Sequence, residues 1–412
     1  MKRIFVAMVL FFLFSQTTFA QNKLNISAEG AILVDLNSDT ILYEKNKNLK
    51  LPMASTTKIM TALLALEKCK LEDKVIIGSK PPFADGSKIY LLEGEELTIE
   101  QLLNALLIES ANDAGQAIAE YISGSEEEFA KLMTKRAEEL GCRNTNFVNA
   151  TGLYDLNHYT SAYDLYLITK KAFEFPAFRD IIAKKKYIIP PTNKQPETRY
   201  IYNHNKLLNG NKRYHYEWAD GVKTGYTIKA KHSFVGSATK NGRTLIAVVL
   251  KSDATYYADV INLFNYGYNE FKDYLVIDKN TAATYISIND KRIPLYPQND
   301  IYVNLKNNEN LHSIYKKINI NSNLQEFAKG DILGNIELYK DGTIIKSVPL
   351  IAGEGYQSAI YDLKYKGDGK YSKKLSNKIM IPIYFLLGYL TFKKIRAVRR
   401  RRLMKKNLLK NK

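Results

Sequence analysis

Histidine and cysteine are scarce in this chain of 412 residues, five of one and two of the other. His158, His204, His215, His232 and His312 form no H-x-x-x-H or similar cluster, and Cys69 and Cys142 do not stand at metal-binding spacing. A zinc enzyme is therefore not expected, and no metal or cofactor is implied. Cys69 ends one apolar helical run and Cys142 follows another, so a disulfide and two ordinary thiols both remain open. Acidic residues are missing from the last stretch: Gly369–Lys412 holds fifteen Lys or Arg and no Asp or Glu. With Lys2 and Arg3 this accounts for nearly all of the formal charge of +18 and leaves a body close to neutral. The basic signal belongs to a tail, and nucleic acid is not the expected partner. Internal repeats are absent as well.

Long apolar runs are confined to the two ends. Lys2 and Arg3 precede Ile4–Phe14, and a polar segment then closes on Thr18-Phe19-Ala20. This is the pattern of a secretory signal with cleavage after Ala20, which puts the body outside the cytoplasm. Near the other end, Ile379–Phe392 is apolar apart from Pro382 and leads into the basic run Lys393–Lys412. Fourteen helical residues reach about 21 Å, short of a hydrocarbon core of roughly 30 Å. Snorkelling of Lys378 and local thinning narrow the gap. A span with its cations on the cytoplasmic face is expected, with an interfacial helix as the rival.

Between these ends the chain predicts a hairpin over Ala31–Leu36 and Thr40–Tyr43, then a helix starting near Ser55. A second helix has a capping box, Thr98 with Gln101, and a staple of Leu97 against Leu102; it ends near Ser110. Helical periodicity continues over about 113–122, 127–140 and 162–173. Tyr187–Tyr202 reads as an extended loop or irregular strands. Three strands follow from Gly221 to Leu250, the last two joined by the type I′ turn signal Lys240-Asn241-Gly242-Arg243, and a helix covers about 254–271. Strands at both ends with helices between them predict one antiparallel sheet flanked by helices. From Leu275 to Ala352 the runs are short and β-favouring, with a second hairpin at Lys340-Asp341-Gly342-Thr343.

Three motifs carry the chemistry. In Ser55-Thr56-Thr57-Lys58 the serine and lysine are three apart at the head of an apolar helix, so they share a face. The free N–H groups there favour developing negative charge. A serine hydroxyl needs a base, and a buried lysine with a lowered pKa can be one. The pattern alone is weak: Ser237–Lys240 and Ser313–Lys316 also fit, but the first enters a hairpin turn and the second has no Lys-Thr-Gly after it. Ser110-Ala111-Asn112 sits between two helices, where Ser110 can pass a proton and Asn112 can donate an amide hydrogen; as a bland helix break, the same residues would only cap. Lys223-Thr224-Gly225 follows Asp220-Gly221 and is read as opening a strand whose edge can pair with a peptide. Lys223 and Thr224 would hold a terminal carboxylate, and Gly225 would admit a substrate backbone. The bland alternative is an exposed strand start with a solvated lysine.

S-x-x-K, S-D-N and K-T-G together mark class A β-lactamases and penicillin-binding proteins. This chain has alanine at the aspartate. Ser110-Ala111-Asn112-Asp113-Ala114 and Asp220–Thr227, with Leu51–Ala62, Asn144–Leu153 and Asn203–Leu208, resemble the serine-type D-alanyl-D-alanine carboxypeptidases, the low-molecular-mass penicillin-binding proteins, over about residues 25–275. The Ala230–Phe234 stretch, with Lys231-His232, departs from the family. The β-rich segment with Gly330-Asp331-Ile332-Leu333-Gly334 resembles that family's C-terminal domain, and the tail its membrane anchor. The resemblance implies an α+β, β-lactamase/transpeptidase-like fold followed by a small all-β domain and a C-terminal membrane helix. It implies a signal peptide at 1–20, a penicillin-binding serine peptidase domain at 21–274, the β-rich domain at 275–365, a linker at 366–378, an anchor at 379–392 and a basic cytoplasmic tail at 393–412. It further implies that Ser55 attacks the D-Ala-D-Ala bond of a peptidoglycan stem peptide, that Lys58 is the base and that Ser110 relays a proton. Asn112, Lys223, Thr224, Gly225 and Tyr226 would bind substrate, with the N–H groups of Ser55 and Tyr226 as oxyanion hole, and β-lactams would acylate Ser55. A β-lactamase or D,D-endopeptidase with the same site, and a non-catalytic penicillin-binding sensor or wall scaffold, are the alternatives. The β domain and anchor weigh against the first, and the complete motif set against the last.

Overall fold

The computed structural model describes residues 24–208, 213–322, 324 and 326–357. The expected signal segment, linker, anchor and basic tail lie outside them. Among the described residues no helix is long and apolar enough to cross a membrane. The chain divides into two compact units, one running up to Val276 and including Tyr302–Leu311, the other made of Ile277–Ile301 and the chain from His312 on.

In the first unit a hairpin, Gly30–Asp35 (β1) and Thr40–Lys45 (β2), precedes a 3-10 turn at Ala54–Thr57 and the helix Lys58–Lys68 (α1). Lys74–Ile76 (β3) and Glu96–Thr98 (β4) pair with each other and lead into Ile99–Asn104 (α2). Thr98 and Gln101 form the expected capping box. Asn112–Ser123 (α3), Glu126–Glu139 (α4), Ala162–Ala172 (α5) and Pro176–Ala183 (α6) follow. Helix α6 was not anticipated, although proline at its first position, with Phe178, Ile181 and Ile182 behind it, is a helix-start signal. The Tyr187–Tyr202 region resolves into a second hairpin, Lys186–Ile189 (β5) with Arg199–Tyr202 (β6). Ala219–Thr227 (β7), Lys231–Lys240 (β8), Arg243–Ser252 (β9) and the helix Tyr256–Glu270 (α7) complete the unit.

The main sheet has the order β2-β1-β9-β8-β7 and is antiparallel throughout. It joins the first strand to the last, Gly30 opposite Leu250, as the distribution of strands predicted. Its central strands are apolar on both faces because both faces are covered. Ile32, Val34, Ile246 and Val248 pack with α1, α2, α3 and α5, whereas Leu33, Leu245, Ala247 and Val249 pack with Leu263 and Phe264 of α7. The β8–β9 turn has Asn241 at φ 52° and Gly242 at φ 78°, the two positive values a type I′ turn requires. Strand β7, with its far side unpaired in this sheet, is the edge next to the helical layer.

The second unit is a five-stranded antiparallel sheet in the spatial order Thr284–Ile288, Lys291–Pro297, Thr343–Ala352, Ile332–Lys340, Ile314–Ile320. Its hairpin turns at Asp341-Gly342 as expected, with φ of 49° and 77°. The return of Tyr302–Leu311 to the first unit is not visible in the sequence; there Asn304 Nδ2 donates to Ser38 Oγ at 2.5 Å, and Arg243 Nη2 donates to Asn304 Oδ1 at 2.5 Å. Cys69 and Cys142 are free thiols.

Candidate active site

Ser55 lies within the 3-10 turn, and Lys58 is the first residue of α1. Residues three apart nearly eclipse in a 3-10 turn. Lys58 Nζ accordingly donates to Ser55 Oγ at 2.9 Å, and it donates a second hydrogen bond to the Thr151 carbonyl at 2.6 Å. Lys58 is fully buried, while Ser55 stays half-buried and reachable. Burial and the neighbouring Lys223 cation hold the Lys58 amine well below its ordinary range, against the opposing pull of Glu126 and Asp113. This shift favours the neutral amine that a serine's base requires.

The backbone around Ser55 is held from three sides. Ala54 has a positive φ of 49°, a strained conformation of about 1–3 kcal/mol that surrounding structure must impose. Gly152, at φ 93°, lies so close that a Cβ would stand 1.9 Å from the Ala54 carbonyl oxygen and 2.8 Å from Ser55 N. Gly225 approaches from β7, where a Cβ would stand 2.7 Å from Ser55 N. Only glycine fits either place. The third hold runs through His158. Val148 N–H donates to its Nδ1 at 3.0 Å, so Nε2 carries the proton and donates to Thr57 Oγ1 at 2.7 Å. Thr57 Oγ1 in turn donates to the Ala54 carbonyl at 2.8 Å. Burial pushes His158 down to about 4, which keeps it neutral in this relay. The sequence reading assigned no part to His158 or Gly152; the signal for Gly152 lay in the Asn144–Leu153 stretch, but nothing local pointed to His158.

Ser110 and Asn112 come from the break between α2 and α3. A π-helical turn, Ala105–Glu109, carries the chain out of α2, and Ser110 follows at φ 67°. The loop is buried, with Asn112 N–H on the Ser87 carbonyl at 2.7 Å and the Asp113 carboxylate accepting from Ile89, Leu91 and Ala114 N–H. Asn112 is held through its own side-chain amide. Its Nδ2 donates to the Asp85 carbonyl at 2.5 Å, whereas its Oδ1 is buried without a partner. Reversing the amide would set oxygen against oxygen. Nδ2 carries a second hydrogen, so the donor's part read from sequence stays open to Asn112. An orphaned buried acceptor is costly unless a ligand completes it. Among the described residues no hydrogen bond joins Ser110 to Ser55 or Lys58, while the Asp113 carboxylate acts electrostatically on Lys58.

Lys223-Thr224-Gly225 does not open its strand; it occupies the middle of β7, which begins at Ala219. The Asp220 carboxylate fixes that beginning by accepting from Ser237 Oγ and from Thr239 Oγ1 across the ladder. Nor is Lys223 solvated: it is 3 % exposed, and its Nζ donates to the Thr224 carbonyl at 2.9 Å. Burial pushes the amine down to about 7, against the pull of Glu109. Tyr226 is 61 % exposed, its ring 4.8 Å from His232, which stacks on Tyr256 at 4.3 Å. His232 of the unfamiliar Lys231-His232 pair thus supports the residue after the glycine, while Lys231 pairs with Asp253 at 3.0 Å.

A serine hydroxyl against a buried amine, under an edge strand with a second buried amine, is the arrangement of an active-site-serine acyltransferase. Residues 16–254 match the family described as D-alanyl-D-alanine carboxypeptidase, peptidase S11, and residues 271–358 match the penicillin-binding protein 5 C-terminal domain. The carboxypeptidase DacF of Bacillus subtilis is 34 % identical over 350 residues, covering 82 % of this chain and 88 % of its own. Penicillin-binding protein 5 from Haemophilus influenzae superposes with a TM-score of 0.69 at 28 % identity, covering 81 % of this chain and 98 % of its own. The Streptomyces K15 DD-transpeptidase superposes at 0.55 with 30 % identity, covering 60 % and 98 %. The architecture is the penicillin-binding protein fold with a C-terminal all-β unit. This chain belongs to the D-alanyl-D-alanine carboxypeptidase family.

Proposed function

We propose that this protein is a serine-type D-Ala-D-Ala carboxypeptidase that removes the terminal D-alanine from peptidoglycan stem peptides through an acyl-enzyme on Ser55. The observation that carries the reading is the 2.9 Å contact of a fully buried, low-pKa Lys58 amine with the Ser55 hydroxyl. In this mechanism neutral Lys58 takes the Ser55 proton as Oγ attacks the scissile carbonyl. The N–H groups of Ser55 and Tyr226 receive the developing oxyanion, a role the closeness of Gly225 to Ser55 N supports. Asn112 donates its second amide hydrogen to the substrate. Ser110 passes the proton to the departing amine, and Lys223 with Thr224 holds the carboxylate of the leaving D-alanine. Water then releases the shortened peptide, whereas a β-lactam, which mimics the dipeptide, leaves its acyl group on Ser55. A sensor or scaffold role is disfavoured because every motif residue is present.

The reading is tested by D-alanine release from a blocked tripeptide ending in D-Ala-D-Ala, followed against pH. The productive free enzyme has Lys58 neutral and Lys223 protonated. As pH rises through about 7, Lys223 loses its proton and with it the attraction for the substrate carboxylate, so kcat/KM falls on the alkaline side. As pH falls, Lys58 gains a proton and the acid limb appears. Both limbs belong to the coupled pair. Bound carboxylate favours the Lys223 cation, so the alkaline limb of kcat moves upward. A substrate ending in an amide should lack the alkaline limb; an unchanged limb with that substrate would remove Lys223 from carboxylate binding.

We further propose the organisation 1–20 signal peptide, 21–274 peptidase domain, 275–365 β-rich domain, 366–378 linker, 379–392 anchor and 393–412 cytoplasmic basic tail, with the enzyme on the extracytoplasmic face of the cell membrane. The clustering of cations after Ile379–Phe392 supports it. Fractionating cells that make the full chain and a chain ending at Lys378 is the test. A mature N-terminus at Gln21 and membrane retention of the full chain alone are expected; retention of both would place the anchor elsewhere.

A further inference from the structure

Beside the serine turn lies a cavity of about 330 Å³, bounded by Pro52 and lined by Lys50, Lys229 and Lys251 with Tyr154, Tyr159 and Asp155. Three cations face one carboxylate there. Lys251 is spent on Glu29 at 3.0 Å, and Asp155 accepts from Asn157 N–H at 2.7 Å. Lys50 lies over the Tyr159 ring at 4.8 Å, and among the described residues neither it nor Lys229 has a carboxylate within ion-pairing distance. Both are exposed.

The direction of β7 says what would reach this cavity. In the proposed mechanism the leaving group's carboxylate sits at Lys223–Thr224 and the reacting carbonyl at Gly225, against Ser55. The rest of the peptide must then continue past Tyr226 toward Lys229, antiparallel to β7. At about 3.3 Å per residue the strand carries the peptide about 7 Å from Gly225 to its end at Thr227, and Lys229 stands in the turn just beyond, which puts the cavity two or three peptide residues upstream of the scissile bond. We infer that the Lys50–Lys229 cavity is a subsite for a free carboxylate carried by the stem peptide two or three residues before the scissile D-alanine. The inference rests on the carboxypeptidase reading and adds to it a charge requirement on the acyl donor. The two unpaired ammonium groups attract that carboxylate, while Tyr154 and Tyr159 give the adjoining methylenes an apolar wall.

The test compares two synthetic peptides ending in D-Ala-D-Ala that differ only in having a carboxylate or a carboxamide at that upstream position. Low ionic strength should favour the carboxylate peptide in kcat/KM by about two- to thirtyfold, the span expected of two exposed ion pairs. The preference should shrink in about 0.5 M salt, where charges more than roughly 4 Å apart are screened. It should vanish in the Lys50→Ala/Lys229→Ala double variant, whose acylation by a small β-lactam, too short to reach the cavity, reports an intact Ser55. Equal kcat/KM for the two peptides in the unaltered enzyme, or a preference that survives the double substitution, overturns the inference while β-lactam acylation leaves the carboxypeptidase reading standing. Failure of both peptides and of the β-lactam to react would overturn both together.

Discussion

Replacing Ser55 with alanine is expected to lower kcat for D-alanine release by about 10⁴- to 10⁶-fold and to abolish the covalent penicillin adduct, which maps to Ser55 in the unaltered enzyme. Among the described residues Ser55 is the serine hydrogen-bonded to the Lys58 amine: Ser110 makes no such bond, Ser237 Oγ donates to Asp220, and Ser313 belongs to the second unit. Ser55 and Lys58 act as one unit, so the costs of removing them do not add. Ser55→Ala/Lys58→Ala should be no slower than Ser55→Ala alone. A double variant slower by another factor of a hundred would mean that Lys58 works on something other than the serine. An adduct mapping to any other residue would displace Ser55 from its role altogether.

Lys58→Arg is expected to cost at least about 10³-fold in kcat, within the range of losing a general base. The substitution keeps the positive charge and much of the stem. It removes the one property the site is built to give, because a guanidinium does not lose its proton in a protein. Lys58 is fully buried beside Lys223, and these surroundings favour the neutral amine. An arginine there stays charged, cannot accept the Ser55 proton and adds bulk at a fully buried position. Near-ultraviolet circular dichroism and the Tm of the variant separate a folded, base-less enzyme from an unfolded one. A folded Lys58→Arg enzyme retaining a tenth of its activity would show that charge alone suffices and would end the general-base assignment.

Much of this arrangement could be read from residues close together in the chain. Thr98 with Gln101 announced its helix, Asn241-Gly242 and Asp341-Gly342 announced their turns, and strands at both ends with helices between them announced one antiparallel sheet flanked by helices. The Ser55–Lys58 contact needed only helical spacing. What escaped depends on partners far away. Lys223 reads from sequence as opening a strand, whereas it lies buried in the middle of β7. The Asp85 carbonyl that takes one amide hydrogen of Asn112 lies in a separate loop, 27 positions away. His158 looked like an isolated histidine, because its link to Thr57 crosses 101 positions. Ser110 follows a π-helical turn, Ala105–Glu109, that helical periodicity did not announce.

The pairing of Gly30 with Leu250 has one more consequence. The nucleophile and its base are translated early, but the strand that roofs them, Ala219–Thr227, arrives near the end of the unit and is held by partners that reach back to the beginning. Closing so long a loop is slow and comes late in folding. Until it closes, Lys58 stands in water as an ordinary cation and Ser55 as an ordinary alcohol. Reactivity is therefore a property of the finished topology, acquired in one step when the two ends of the unit zip together, and a chain interrupted anywhere before Ser252 is born inert.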